Sequence, residues 1–162
     1  MSNLYTSAGE APESHFEHPT AFVPSAPRAR VAILGCGTVG SAVAQRLASG
    51  DVPGLALTHI LDRRADEKRA RTGLAVTWTT RIEDILSSDA DIVVETIGGL
   101  EPATEWIRAA MLAGKSVVTA NKQVIARFGP DLQLLASRQG RQLKFEAAVC
   151  GAVPIVRAVG SG

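Results

Sequence analysis

The chain has 162 residues, a formal net charge of +1, and 46% apolar residues of which few are aromatic. That suits one domain of ordinary size, packed by Ala, Val, Ile and Leu, and the near-neutral balance argues against nucleic-acid binding, which rests on a basic excess. No apolar run reaches the roughly 18 residues of a membrane span and the N-terminus lacks a secretory signal, so the expectation is a cytoplasmic protein with no membrane or nucleic-acid partner.

Residues 1–27 carry Pro12, Pro19, Pro24 and Pro27 among scattered Ser, Thr and Glu, without apolar periodicity. They read as a disordered leader, with a single domain over 28–162. His15 and His18 lie near Glu13 and Glu17, but nothing around them would hold a metal geometry.

Val31-Ala32-Ile33-Leu34 is an apolar, partly β-branched run that reads as a short strand buried on both faces, as in a parallel sheet. Gly35, Gly37 and Gly40 follow at G-x-G-x-x-G spacing, and Val39, Val43 and Leu47 continue with a helical apolar pattern. Strand, glycine turn and helix in this order are the context a dinucleotide-binding turn requires. Gly35 makes the tight turn, Gly37 lets backbone approach a pyrophosphate, and Gly40 lets the helix lie close to the strand. The N–H groups at the helix start, around Cys36, Thr38 and Val39, then face the anion.

Gly50 to Gly54 close that helix, and residues 55–61 read as a second strand ending at Asp62. Asp62 stands where an acidic residue bonds the adenosine ribose hydroxyls, which favours NAD. Arg63 and Arg64 follow at once, and guanidinium groups there suit a 2′-phosphate, which favours NADP. The two signals conflict, and the reading is that both cofactors bind with NADP preferred; the alternative for the arginines is a solvated loop feeding the charged run 66–69. His59, within the strand, reads as a packed or edge-facing side chain.

Residues 74–77 read as a third strand and Ile82, Ile85 and Leu86 as a brief helix. Residues 91–97 read as a buried fourth strand ended by Gly98-Gly99. A helix then runs from Pro102 to Gly114, and residues 115–120 read as a fifth strand ending at Asn121-Lys122. A helix over about 130–139 and a sixth strand over 142–149 complete the pattern. Strand and helix alternate throughout, which predicts an α/β fold, a Rossmann-type doubly wound parallel sheet with strand order 3-2-1-4-5-6. Cys36 and Cys150 would then end strands one and six, about 14 Å apart and too far for a disulfide. They carry no metal-ligand spacing, and two free thiols suit a reducing compartment.

Ligands of such sheets bind at the carboxyl ends of the strands, where strand order reverses. That gathers the glycine turn, Thr96-Ile97-Gly98, Asn121-Lys122 and Glu146–Gly151. Gly98-Gly99 lets a flat ring approach backbone, and Lys122 is a cation placed to hold a substrate carboxylate or stabilise a developing alkoxide. The alternative for Lys122 is a surface lysine opening a helix. Glu146 ends a largely apolar strand, and its charge needs a partner.

The segments Val31–Gly40, Asp91–Gly99, Val117–Lys122 (with Thr-Ala-Asn-Lys at its end) and Phe145–Ile155 occur in order, and together they resemble the amino-terminal part of homoserine dehydrogenase over about residues 30–160. The resemblance implies NAD(P)-dependent interconversion of L-homoserine and L-aspartate 4-semialdehyde, a step of threonine and methionine biosynthesis. It implies that Lys122 takes part in catalysis and that Thr96, Ile97, Gly98 and Asn121 line the nicotinamide. It also implies that the stretch with Glu146, Val149 and Gly151 holds a monovalent cation such as sodium, largely through backbone oxygens. Family members continue into a second domain that supplies the substrate pocket, further catalytic residues and the interface of a homo-oligomer. The resemblance therefore implies cofactor binding without substantial turnover by these residues, with 152–156 an apolar edge that packs on that second domain. Two other readings share the glycine turn: a non-catalytic nucleotide-sensing module and an aspartate dehydrogenase-like reductase. The first does not account for Asn121-Lys122 together with Gly98-Gly99 and Glu146, and the second is not expected to carry the Thr-Ala-Asn-Lys and Phe-Glu-Ala segments together.

Overall fold

The computed structural model describes residues 29–145. The expectations for residues 1–27, for Cys150, for Glu146, Val149 and Gly151, and for 152–156 lie outside the described residues.

Six strands, β1 (Ala29–Leu34), β2 (Leu55–Leu61), β3 (Thr77–Thr79), β4 (Ile92–Glu95), β5 (Ser116–Thr119) and β6 (Leu143–Phe145), form one sheet in the order β3-β2-β1-β4-β5-β6. Every pairing is parallel. The helices α1 (Thr38–Ala48), α2 (Ala65–Thr72), α3 (Ile82–Leu86), α4 (Ala103–Leu112) and α5 (Lys122–Arg138) connect them. This is the doubly wound Rossmann-type sheet expected from the alternation. Among the described residues no helix is long and apolar enough to cross a membrane.

The two-residue strand period sorts the core into two layers. Ala32, Leu34, Val93 and Val117 point to one face, where Ile107, Met111 and Leu132 of α4 and α5 cover them. Val31, Ile33, Ile92 and Val94 point to the other, against Ala44 and Leu47 of α1. β1 is thus covered on both sides, and each fully buried Val, Ile or Leu contributes about 1.5–3 kcal/mol of burial free energy. A one-residue irregularity in the β1–β2 register falls between Val31 and Ala32, where Thr58 drops out of the pairing and donates its hydroxyl to the Val31 carbonyl.

Four elements differ from expectation. The charged run 66–69, for which no element is expected from sequence, is part of α2, which is capped at Gly73 in the left-handed conformation. β3 covers Thr77–Thr79 rather than 74–77, starting at Thr77, the residue that pairs with His59. Leu74 and Val76 pack on the core as its approach. α5 begins at Lys122 rather than near 130, because the Asn121 side chain accepts a hydrogen bond from the Val124 N–H and caps it; Pro130 falls inside the helix. On α1 the buried face is Gly40, Ala44 and Leu47, so Val39 points outward.

Candidate functional site

The turn between β1 and α1 is built by exclusion of side chains. Gly35 has φ +89°, a left-handed conformation that favours glycine, and donates its N–H to the Leu61 carbonyl at 2.8 Å. A Cβ on Gly40 would stand 2.0 Å from the Gly35 oxygen and 2.7 Å from Thr96 Oγ1, so only glycine lets α1 sit against the turn. Thr96 locks the same corner from β4, donating its hydroxyl to the Gly35 carbonyl at 2.8 Å. Gly37 differs: a Cβ there would meet nothing within 4 Å. It precedes α1 without a side-chain cap, and Gly37, Thr38 and Val39 are exposed, leaving the first-turn N–H groups directed outward.

Asp62, at the end of β2, is buried at 9% exposure and hydrogen-bonded at both carboxylate oxygens. One carboxylate oxygen accepts from the Cys36 N–H at 2.8 Å and from Lys68 Nζ at 2.5 Å, and the other accepts from the Arg64 N–H at 2.9 Å. Burial pushes its pKa up, but the Lys68 ammonium and the two N–H donors outweigh that and hold it below the usual carboxylate range. The Cys36 thiol is pushed up, chiefly by burial, with Lys68 opposing and Asp62 adding to the rise. Arg63 and Arg64 are exposed beside this pair, Arg64 within 3.7 Å of Glu67.

At the ends of β4 and β5 a second set of bonds joins two turns. Asn121 Nδ2 donates to the Gly99 carbonyl at 2.5 Å, and the Asn121 N–H donates to Thr119 Oγ1 at 3.0 Å. Lys122 is exposed as the first residue of α5.

Gly35, Gly37, Asp62, Arg63, Arg64, Thr96, Ile97 and Gly98 all line one cleft of about 620 Å³ at the carboxyl edge of the sheet. Asn121 is tied to the edge of that cleft through Gly99, with Lys122 next to it. Cys36, Thr38, Val39 and Gly40 belong to the turn and helix start that border it. Sequence reasoning missed several members. Lys68 lies within a charged run and reads as solvated, yet its burial shows only once β2 and α2 pack. Trp106 and Pro102 line the cleft from α4. Glu95 is completely buried under the rim, and its signal, a carboxylate inside an apolar strand, was present in the sequence. Among the described residues no group of three or more His, Cys, Asp or Glu could hold a metal ion.

A family model for the homoserine dehydrogenase NAD-binding domain matches residues 35–146, from the first glycine of the turn to the end of the sixth strand region. The chain belongs to that family. Homoserine dehydrogenase of Corynebacterium glutamicum is 41% identical to it over 135 residues, which is 78% of this chain and 30% of the relative. That of Lactococcus lactis is 37% identical over 137 residues, covering 78% and 32%. Among solved structures, S. aureus homoserine dehydrogenase superposes with a TM-score of 0.65 at 37% identity over 74% of this chain and 32% of that one. The Thiobacillus denitrificans enzyme gives 0.66 at 37% identity over 80% and 32%. The chain thus spans about a third of the length of the homoserine dehydrogenases it matches. The glycine turn, Asp62–Arg64, Thr96–Gly98 and Asn121-Lys122 all fall within the NAD-binding family match.

Proposed function

We propose that this chain, over residues 28–162, is the nicotinamide-dinucleotide half of a homoserine dehydrogenase, and that its cleft holds NADP or NAD with NADP preferred. The observation that carries the reading is the corner at Gly40, where a Cβ would strike the Gly35 carbonyl. So tight a junction directs the N-terminus of α1 at the cleft, where N–H groups and helix dipole favour a pyrophosphate. The open space at Gly37 fits an approach by that group. The NADP preference is supported by Asp62: its carboxylate is neutralised by Lys68 and committed to internal donors, while two guanidinium groups stand exposed beside it.

A bound dinucleotide supplies the hydride acceptor or donor. The chain's own residues hold it: Gly35, Cys36, Gly37, Thr38, Val39 and Gly40 at the pyrophosphate, Asp62, Arg63 and Arg64 at the adenosine end, and Thr96, Ile97, Gly98 and Asn121 at the nicotinamide. Lys122 is the catalytic residue of this half, stabilising oxygen charge as homoserine and aspartate 4-semialdehyde interconvert. A lysine at a helix N-terminus costs about 0.3–1 kcal/mol against the dipole, which supports a role beyond helix formation. Glu146, Val149 and Gly151 hold a monovalent cation in this reading. The substrate pocket and homo-oligomer interface belong to residues beyond the third of the relatives matched here, so these 162 residues bind cofactor without substantial turnover.

Fluorescence titration of the purified chain with NADPH and with NADH tests this. Saturable binding of both, tighter for NADPH, is expected, and Arg63→Ala with Arg64→Ala should weaken NADPH about tenfold or more while changing NADH little. A folded chain that binds neither would overturn the reading, and rapid homoserine-dependent reduction of NADP would overturn the placement of the substrate pocket elsewhere.

A further inference from the structure

Glu95, the last residue of β4, has 0% exposure. A carboxylate so placed costs several kcal/mol unless donors surround it. One of its oxygens accepts from the Ile97 N–H at 2.7 Å and from the Gly98 N–H at 3.3 Å, so the side chain folds back to satisfy the turn that follows its own strand. The other accepts from Thr119 Oγ1 at 2.5 Å, on the neighbouring strand. Having given its one proton to Glu95, the Thr119 hydroxyl is an acceptor towards the Asn121 N–H. Asn121 in turn donates to Gly99 and accepts from Val124, which fixes the start of α5. The bonds run in series from Glu95 through Thr119 and Asn121 to Gly99, the backbone between residues 95 and 99 completes the ring, and the carboxylate is its one charged side chain.

We propose that Glu95 is a positioning residue: acting through Thr119, it sets the spacing between the Ile97-Gly98 turn and Asn121-Lys122, the two parts of the rim that face the nicotinamide. This rests on the dinucleotide reading of the cleft. The pyrophosphate turn and the adenosine side are held by other bonds, from the Gly35 N–H to Leu61 and between Lys68 and Asp62, neither of which involves the Glu95 side chain. Loss of the carboxylate therefore loosens one end of the cleft and leaves the other in place. A residue that only stabilises the fold would affect both ends together.

The test compares NADPH with 2′-phospho-ADP-ribose, which is the same molecule without nicotinamide, on four chains: the parent, Glu95→Gln, Thr119→Val and Thr119→Ser. Glu95→Gln and Thr119→Val should weaken NADPH about tenfold and change the nicotinamide emission of bound NADPH, with 2′-phospho-ADP-ribose affinity unchanged. Thr119→Ser, which keeps the hydroxyl, should behave as the parent. Folded Glu95→Gln and Thr119→Val chains that bind NADPH normally, or that lose both ligands equally, would overturn the proposal. If Glu95→Gln fails to fold, Thr119→Val decides, and a Thr119→Val chain that also fails to fold would make the network purely structural. A parent chain that binds neither ligand would instead reject the dinucleotide reading on which the proposal stands.

Discussion

Gly40 and Gly37 belong to one motif but are constrained by different things. Gly40→Ala places a methyl 2.0 Å from the Gly35 carbonyl, so the helix start must shift. It should cost about 1–3 kcal/mol, lower the thermal midpoint and abolish dinucleotide binding. Gly37→Ala meets open space, so it should leave the midpoint unchanged and weaken only binding; differential scanning calorimetry with a titration separates the two. The Asp62–Lys68 pair is the second residue-level lever. With its folded pKa held below the unfolded value, Asp62 contributes stability that is fully present above the unfolded value and lost as pH falls through the folded one. Thermal unfolding should therefore show an acid limb below about pH 4, flattened in Asp62→Asn. Lys68→Met, which strands a buried carboxylate, should cost about 3–5 kcal/mol at neutral pH. At this scale the glycines were legible because their spacing is itself the constraint. Lys68 was not, since four charged residues in a row look alike until packing chooses the one that turns inward.

Elements were legible where chain and packing signals agree. β2 was expected over 55–61 and occupies that span, because turn residues bound it on both sides. α5 shows the opposite: Pro130 reads as a helix start, but the cap at Asn121 and the buried face Val124, Gly129, Leu132 and Ala136 carry the helix through it. A proline inside a helix removes one hydrogen bond, so Pro130→Ala should raise stability by about 1 kcal/mol or more, read as a higher unfolding midpoint; a lower midpoint would contradict it. Asn121 carries two duties that one substitution separates. Asn121→Asp keeps a capping oxygen for the Val124 N–H but cannot donate to Gly99. Its stability should stay within about 0.5 kcal/mol of the parent, while NADPH binding weakens. α2 escaped sequence reading because it has almost no apolar face of its own, and with it the bounds of β3, a strand that was expected but three residues too early at its start.

Across the described residues, strand order follows from alternation, and strand order alone brings four separate segments to one edge, the glycine turn, Asp62–Arg64, Thr96–Gly98 and Asn121-Lys122. That much was readable without coordinates: eight of the expected cofactor residues, Gly35, Gly37, Asp62, Arg63, Arg64, Thr96, Ile97 and Gly98, line the same cleft. The wall supplied by Pro102 and Trp106 was not, because their side of α4 is chosen by how that helix packs on α3 and α5. The ring around Glu95 likewise depends on β4 and β5 lying in register, Glu95 beside Thr119. The central claim is that this edge is a dinucleotide site. Amide chemical-shift mapping of the isotopically labelled chain during titration with NADPH tests it most directly. Saturable shifts should cluster at Gly37–Gly40, Arg63-Arg64 and Ile97–Gly99, with the indole N–H of Trp106 moving and that of Trp78 still. Shifts centred away from the carboxyl edge of the sheet, or none from a folded chain at saturating NADPH, would contradict the account.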